Sequence, residues 1–338
     1  MLKGVFATAL AAGLALGGAQ ATAQTLPVRF TLDWKFQGPT SFFLLAADRG
    51  YYKEEGLDVT IDAGQGSAGA VTRVVSGAYE LGFADINALI EYNAANPDKA
   101  VKCVMVIYDA PPFGVYTLKS TGITSPKQLE GKALGAPVFD ASYKLFPAFA
   151  KAVGIDPGKV QRKNMSPELR ETMLVQKQVD FISGHYFSSF LDLKAKGVKP
   201  EDIVPFRYAD FGLDFYGNGI IVGPKLAAEQ PEKVKGFVRA TMKGMRDMLK
   251  DPKAGIAATK KKDPLVDEAL ELERMQIAIE QNILTANVKR DGFGTMDLKR
   301  LERAIEQVAA SINLAKKPAA TEIFSDGFLP PKELRNIQ

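Results

Sequence analysis

The amino-acid sequence has very little cysteine, histidine or tryptophan, with one residue of each among 338. A single cysteine cannot form an intramolecular disulfide or a CxxC metal site, and a single histidine cannot build a zinc site from two or three imidazoles. A Ser-His-Asp triad would have to use His185, and no GxSxG elbow supplies its serine. No GxxxxGK[ST] phosphate loop is present either. The scarcity favours a binding protein or an enzyme that works with carboxylates alone, without metal or cofactor.

An excess of charge of one sign is also missing. The 43 basic and 39 acidic residues give a formal net charge of +4, and nucleic-acid binding would need clustered Lys and Arg. Hydrophobic residues make up 46% and charged residues 24%, which is ordinary for a globular protein. At roughly 100–200 residues per domain, the length allows two domains. We therefore expect no nucleic-acid partner.

The N-terminus carries the features of an export signal. Lys3 precedes an apolar stretch at 5–16, and Ala21-Thr22-Ala23 forms a small-x-small cleavage site before Gln24. The apolar stretch is shorter than the roughly 20 residues of a transmembrane helix, and no cysteine follows the cleavage site to take a lipid. We predict a signal peptide at 1–23 that is removed before Gln24, so that the mature protein is exported without a lipid anchor.

Strands and helices alternate along the rest of the chain. A first block runs from a strand at 28–32 to an apolar strand at 101–108, and a second from a strand at 114–118 to one at 203–208. Such alternation is typical of an α/β fold, in which helices flank a mostly parallel sheet on both faces. A helix is predicted at 41–55 in the first block. Beyond residue 222 long helices dominate, with predicted ranges 231–249, 264–284 and 297–312, and they need an existing sheet to pack on.

The most economical arrangement has two lobes and returns the chain to the first of them. Lobe one would comprise 24–110 plus 218–338, and lobe two would comprise 111–217. The two chain crossings would form a hinge, with a cleft between the lobes. Because open α/β sheets bind ligands at the carboxyl ends of their strands, we expect the ligand in that cleft.

Three runs of the sequence resemble a known family. Leu32-Asp33-Trp34, the run AADRGYYKEEGLDV at 46–59 and the run GAYELGFAD at 77–85 are similar to those of periplasmic solute-binding proteins of ABC importers. The branch covers thiamine-pyrimidine precursors, nitrate, sulfonates and taurine. The resemblance implies a two-lobed type II periplasmic binding protein that closes on a small-molecule ligand. Its partners would be the ABC permease subunits of the inner membrane, and we expect a monomer.

The loop after the first strand departs from the pattern of the pyrimidine-precursor members. Those proteins commonly carry Pro-Asn after the tryptophan and a histidine a few positions later. Here Trp34 is followed by KFQGPT, so Gln37 stands where the asparagine is expected and Thr40 lies near the histidine position. The fungal pyrimidine-making relatives are enzymes that consume an active-site histidine. Thr40 cannot serve that chemistry, so we predict no catalytic residues and no enzyme activity.

The same loop supplies the first candidate ligand contacts. Trp34 and Phe36 follow the carboxyl end of the first strand, where their flat faces could stack on a planar ligand or pack into the core. Gln37 and Thr40 add small polar groups that donate and accept hydrogen bonds.

Helix starts supply a second group of candidates. Gly66 and Ser67 open a helix whose free N–H groups suit a carbonyl or an oxyanion, although Ser67 could simply be a cap. Asp85, Asn87 and Asp140 stand at later strand-to-helix junctions. Asp85 and Asp140 could accept a hydrogen bond from a ligand N–H or cap their own helices.

The last candidates follow a strand end of the second block or lie near the predicted hinge. They are aromatic, imidazole and carboxylate side chains: His185, Tyr186, Asp210, Asp214 and Tyr216.

The charges of these loops favour one class of ligand. The loops carry several carboxylates, with Lys35 as the only nearby cation, and unpaired carboxylates repel an anion. We therefore predict a planar nitrogen heterocycle, such as a pyrimidine-type vitamin precursor. The alternatives are a sulfonate, taurine or nitrate binding protein of the same fold, a carboxylate-only enzyme that acts on a similar heterocycle, and a sensor that presents its ligand to a receptor.

Overall fold

A computed structural model describes residues 25–337. The predicted signal peptide and its cleavage site lie outside the described residues. Within the described range, ten strands form two five-stranded sheets. The strands are β1 (Leu26–Thr31), β2 (Leu57–Asp62), β3 (Leu81–Asp85), β4 (Lys102–Val106), β5 (Phe113–Leu118), β6 (Ala133–Ala136), β7 (Gln161–Asn164), β8 (Phe181–His185), β9 (Ile203–Arg207) and β10 (Asn218–Val222).

Helices cover the faces of both sheets, and a π-helical turn at Ile279–Ile283 extends one of them. No helix between residues 25 and 337 combines the length and the apolar character needed to cross a membrane. The α-helices are α1 (Ser41–Asp48), α2 (Tyr51–Glu54), α3 (Ser67–Val75), α4 (Ile86–Ala95), α5 (Ala141–Lys144), α6 (Phe146–Val153), α7 (Arg170–Val175), α8 (Tyr186–Ala195), α9 (Pro224–Glu229), α10 (Pro231–Lys250), α11 (Pro252–Lys262), α12 (Glu268–Ala278), α13 (Ala286–Asp291), α14 (Leu298–Ile312) and α15 (Ala320–Ile323).

The two sheets have the same topology. Their strand orders are β2-β1-β3-β10-β4 and β7-β6-β8-β5-β9. In each sheet one strand runs against the other four: β10 is antiparallel to β3 and β4, and β5 is antiparallel to β8 and β9. These are the strands with which the chain enters the second sheet and re-enters the first. The predicted two-lobed α/β fold is confirmed, with mixed sheets; the residue limits given above for the lobes stay a prediction.

The helices after β10 pack on the first sheet because its inner face is apolar. Alternate residues of β1 point to opposite faces, and Phe30 lies on the buried one. Its ring centroid is 4.7 Å from that of Phe43 on α1 and 5.0 Å from that of Phe237 on α10. The second sheet has its own core, in which Phe146 of α6 packs 5.9 Å from Phe181 of β8. We refer to the part of the chain around each sheet as lobe one and lobe two.

Helix boundaries differ from the predicted ones where a glycine or a cap intervenes. The helix predicted at 41–55 divides into α1 and α2, because Gly50 adopts a φ of +76° that interrupts a right-handed helix. The helix predicted from residue 264 begins at Glu268, where the Asp267 side chain caps it by accepting from the N–H of Leu270. Asp297, predicted as the first residue of α14, is its N-cap instead.

Candidate ligand-binding cleft

A cleft lies between the lobes, at the carboxyl ends of strands from both sheets. It encloses about 510 Å³ of space, counted with its opening to solvent. Lobe one contributes the loop after β1, the start of α3 and the residue that follows β4 by two positions, Tyr108. Lobe two contributes the starts of α5 and α7 and the junction of β8 with α8. Seven of the predicted contacts line this cleft: Trp34, Gln37, Thr40, Gly66, Ser67, Asp140 and His185.

A buried carboxylate that the sequence analysis did not single out lies beside Trp34. Asp33 is 6% exposed, and its Oδ2 accepts hydrogen bonds from Ser67 Oγ at 2.7 Å and from Asn218 Nδ2 at 2.6 Å. Burial raises the pKa of Asp33 to about 6, and the negative charge of Asp140 adds to the shift. The strand-end rule that identified Trp34 could also have identified Asp33, because both residues follow the end of β1.

Lobe two brings a buried guanidinium to the opposite wall. Arg170 is 1% exposed; its Nε donates to Glu171 Oε1 at 2.7 Å, and its Nη1 lies 3.5 Å from Asp140 Oδ2. Its Cζ is 4.8 Å from the ring centroid of Trp34, a cation–π contact across the cleft. Burial alone would lower the pKa of Arg170, but the two carboxylates raise it, so the group stays charged.

Arg170 corrects the prediction that Lys35 is the only nearby cation. The strand-end and helix-cap rules used above do not point to Arg170, because arginine is not a preferred capping residue and the residue lies six positions past the end of β7. Its place in the wall depends on how α7 packs on lobe two.

An aromatic wall completes the cleft. The His185 ring centroid lies 6.3 Å from that of Tyr108 and 5.4 Å from those of Phe113 and Phe187. Desolvation and, to a smaller extent, the Arg170 charge lower the pKa of His185 to about 3. The imidazole is therefore neutral at physiological pH and contributes a flat, weakly polar surface.

Four predicted contacts in the two lobes have other partners instead of lining this cleft. Phe36 packs against the lobe-one core with Lys262 Nζ 5.7 Å from its ring centroid, and Tyr186 stacks on Phe190 at 5.0 Å. Asp85 caps α4 by accepting from the N–H groups of Asn87 and Ala88, the alternative raised for it above. Asn87 donates through Nδ2 to Asp85 and to a main-chain carbonyl.

The three candidates from the predicted hinge lie away from the cleft as well. Asp210 is exposed, and Asp214 forms an ion pair with Arg300 at 2.9 Å. The Tyr216 ring centroid is 4.0 Å from Arg300 Cζ. Asp214 and Tyr216 face Arg300 because the segment before β10 packs on the start of α14, behind the hinge.

Arg300 ties both chain crossings together. Its Nη1 pairs with Asp109 Oδ1 at 3.2 Å, and its Nη2 donates to the carbonyl oxygens of Asp109 and Phe215, each at 2.8 Å. Asp109 lies on the crossing after β4 and Phe215 on the crossing before β10. One buried side chain of α14 thus fixes the spacing of the two hinge segments.

The lobes touch along the cleft. Lys35 Nζ lies 3.3 Å from Asp192 Oδ2, and Arg274 of lobe one donates to the carbonyls of Phe187 and Ser188 at 2.6 and 3.0 Å. At the rim the N–H of Ala68 donates to the Phe139 carbonyl at 3.3 Å.

Gly66 is required where the lobes come closest. A Cβ atom at this position would lie 2.2 Å from the Phe139 oxygen, and φ is +139°. Both the close approach and the backbone conformation select glycine.

The residues between 25 and 337 contain no cluster of three or more His, Cys, Asp or Glu side chains suited to hold a metal ion. Cys103 is buried in β4, and burial raises the pKa of its thiol.

Solved structures define the fold class as that of the periplasmic binding proteins. The alkanesulfonate-binding protein SsuA from Xanthomonas axonopodis pv. citri is similar with a TM-score of 0.70 at 14% identity, over 89% of this chain and 99% of that chain. A Candida albicans gene product described as having the generic periplasmic binding protein fold is similar with a TM-score of 0.67 at 15% identity, over 89% of this chain and 96% of that chain. At such identities the similarity shows the fold alone.

The sequence then identifies the family. Residues 39–255 match the family described as "NMT1/THI5 like", and this protein belongs to it, which confirms the resemblance described above. The riboflavin-binding protein RibY of Chloroflexus aurantiacus is 26% identical over 297 residues, 85% of this chain and 82% of the relative. The formylaminopyrimidine-binding protein of Halalkalibacterium halodurans is 26% identical over 305 residues, 88% of this chain and 89% of the relative.

Other relatives of the chain are named as enzymes. The 4-amino-5-hydroxymethyl-2-methylpyrimidine phosphate synthase THI11 of Saccharomyces cerevisiae is 34% identical over 238 residues, 67% of this chain and 68% of the relative. The relatives thus include both binding proteins and a synthase.

Proposed function

We propose that this protein captures a planar nitrogen heterocycle between its lobes and delivers it to an ABC permease. The observation that carries the proposal is the pairing of a buried carboxylate, Asp33, with Trp34 and the aromatic wall around His185. Flat aromatic faces stack on a planar ring, and a buried carboxylate accepts a hydrogen bond from a ring or exocyclic N–H. The names of two relatives, which bind riboflavin and formylaminopyrimidine, support a ligand of this chemistry.

The charge distribution supports a neutral ligand over an oxyanion. Arg170 is the cation closest to Trp34, and the carboxylates of Glu171 and Asp140 already offset its charge. Lys35 is paired with Asp192 across the cleft. A sulfonate or nitrate would meet two offset cations and the Asp33 carboxylate, a combination that disfavours anions.

We infer that the protein binds its ligand without converting it. His185 is half-buried and neutral, with three aromatic rings close to it. A catalytic acid or base needs a pKa near the working pH, and a pKa of about 3 leaves His185 without a proton to give. Mass spectrometry of the ligand after incubation tests this inference, and a changed ligand mass would replace transport with catalysis.

The predicted export signal supports a periplasmic setting for this function. We propose that the signal is cleaved before Gln24 and that the mature protein, a monomer without a lipid anchor, meets the permease at the inner membrane. N-terminal sequencing of the exported protein would test the cleavage site.

A thermal-shift screen followed by calorimetry tests the ligand class. The screen would compare riboflavin and formylaminopyrimidine with taurine, an alkanesulfonate and nitrate. A ligand at 100 times its Kd stabilises the protein by about 2.7 kcal/mol, so a true ligand raises Tm by several degrees. If only the sulfonates or nitrate raise Tm, the heterocycle proposal is wrong.

A further inference from the structure

Two N–H donors in the cleft lack any hydrogen-bond acceptor among residues 25–337. They are Nη2 of Arg170 and Nε1 of Trp34, both buried atoms. The guanidinium and the indole N–H donate hydrogen bonds and cannot accept them. Burying a donor without an acceptor costs free energy, most of all for a charged group. Donors of this kind on facing walls of a binding cleft indicate that the ligand brings the acceptor.

The surroundings of Arg170 fix both the position and the effective charge of its free nitrogen. Nε is held by Glu171 at 2.7 Å and Nη1 lies 3.5 Å from Asp140. The guanidinium is thereby oriented with Nη2 unpaired, while its Cζ lies 4.8 Å from the Trp34 ring centroid. Two carboxylates already offset the charge of Arg170, so a neutral oxygen suits this nitrogen better than a full anion does.

Asp33 supplies the complementary group. Both hydrogen bonds to its carboxylate, from Ser67 and Asn218, end on Oδ2. Oδ1 therefore keeps its capacity to accept from a ligand. The cleft thus combines an acceptor on lobe one with donors contributed by both lobes, and the aromatic rings lie with them along the same cavity.

We propose that the cleft recognises a heterocycle that carries two groups: an N–H that donates to Asp33, and a carbonyl-type oxygen that accepts from Arg170 Nη2 and Trp34 Nε1. This inference rests on the proposed function and specifies its ligand class further. Because Trp34 and Arg170 belong to different lobes, the carbonyl oxygen would also bridge them when the lobes close.

A matched pair of ligands tests the carbonyl site. The first is formylaminopyrimidine, and the second is the same pyrimidine with a propyl chain in place of its formylamino group, which removes the carbonyl and stays neutral. Calorimetry would compare the wild-type protein with Trp34→Phe, which keeps an aromatic face and loses the N–H, and with Arg170→Lys. Tyr186→Phe is the control, since it alters an aromatic residue outside the cleft.

We expect Trp34→Phe and Arg170→Lys each to weaken formylaminopyrimidine binding about tenfold, while changing the affinity for the propyl analogue less than about twofold. Tyr186→Phe should leave both affinities unchanged. Circular dichroism melting checks that each variant folds, and Trp34→Phe decides the question if Arg170→Lys does not fold. Riboflavin, whose ring carries carbonyl oxygens, gives the same comparison of variants if the pyrimidines do not bind.

Two results would overturn the inference in distinguishable ways. If both variants weaken the two pyrimidines equally, or neither variant weakens a carbonyl ligand, the carbonyl site is wrong and heterocycle binding stands. If the wild-type protein binds none of the three heterocycles, the proposed function fails together with the inference.

Discussion

Replacing Asp33 with asparagine should stabilise the ligand-free protein at neutral pH. Burial raises the pKa of Asp33 from 3.8 to about 6, and each pH unit of difference corresponds to about 1.4 kcal/mol. Above pH 6 the folded state therefore holds the charged carboxylate at a cost of about 3 kcal/mol. Because folding raises the pKa of Asp33, the bound proton stabilises the folded state fully below pH 3.8, and this stabilisation is lost as the pH rises through 6.

The asparagine variant removes this cost and keeps the shape of the side chain. The amide oxygen accepts weaker hydrogen bonds from Ser67 and Asn218 than a carboxylate does, which lowers the unfolding free energy by about 1–2 kcal/mol. The net gain in unfolding free energy at pH 7 is therefore about 1–2 kcal/mol. The difference in unfolding free energy between variant and wild type should grow by about 2 kcal/mol from pH 4.5 to pH 7. Urea titrations followed by circular dichroism measure this difference at each pH.

The same variant should bind a heterocycle about tenfold more weakly, because it loses the charged acceptor. The control is Asp210→Asn, which removes an exposed carboxylate and should follow the wild type at every pH. If the Asp33→Asn and wild-type stabilities run parallel from pH 4.5 to 7, the carboxylate is not held at a cost and the reasoning fails.

Three further changes have defined outcomes. Trp34→Ala should weaken heterocycle binding by about 1–3 kcal/mol in calorimetry; an unchanged affinity with a lower Tm would assign Trp34 to the core. Arg300→Met should cost about 3–5 kcal/mol in urea unfolding, because Asp109 is left as a buried unpaired charge; a loss below 1 kcal/mol would contradict that role. On acidification from pH 7 to pH 5 the unfolding free energy of His185→Gln should rise by about 2 kcal/mol relative to the wild type, since a His whose pKa in the folded state is about 3 takes up its proton only on unfolding; no relative gain would mean that His185 binds a proton in the folded protein.

The fold could be predicted largely because its signals are local. A strand such as β1 shows two-residue alternation, and a cap or glycine such as Asp297 or Gly50 stands beside the helix end that it determines. The return of α10 to the first sheet could be predicted because the sequence beyond residue 222 has too few strands to form a sheet of its own. The single antiparallel strand in each sheet could not be predicted, because its direction is set by pairing with residues about 60 to 140 positions away.

Only half of the candidate ligand contacts predicted from the sequence line the cleft. The rule that ligands meet the ends of strands identified Trp34 and applies equally to Asp33, whereas Ser67 was identified as a helix start. It did not identify Arg170, whose burial depends on the packing of α7 against the rest of lobe two. For Tyr216 the hinge was the correct place, but the sequence does not reveal which side of a hinge a ring faces.

The chain's single indole lies in the cleft, so tryptophan fluorescence can report on the cleft directly. Trp34 is the only tryptophan among 338 residues, and it lies where the lobes meet, with the Arg170 guanidinium near its ring. Tryptophan emission from this protein therefore reports on one location, without labels or engineered probes, and is separable from that of the ten tyrosines. A ligand that displaces the guanidinium from the ring alters the emission at the moment of capture, so the rates of opening, binding and release can be followed by stopped flow in the unmodified protein.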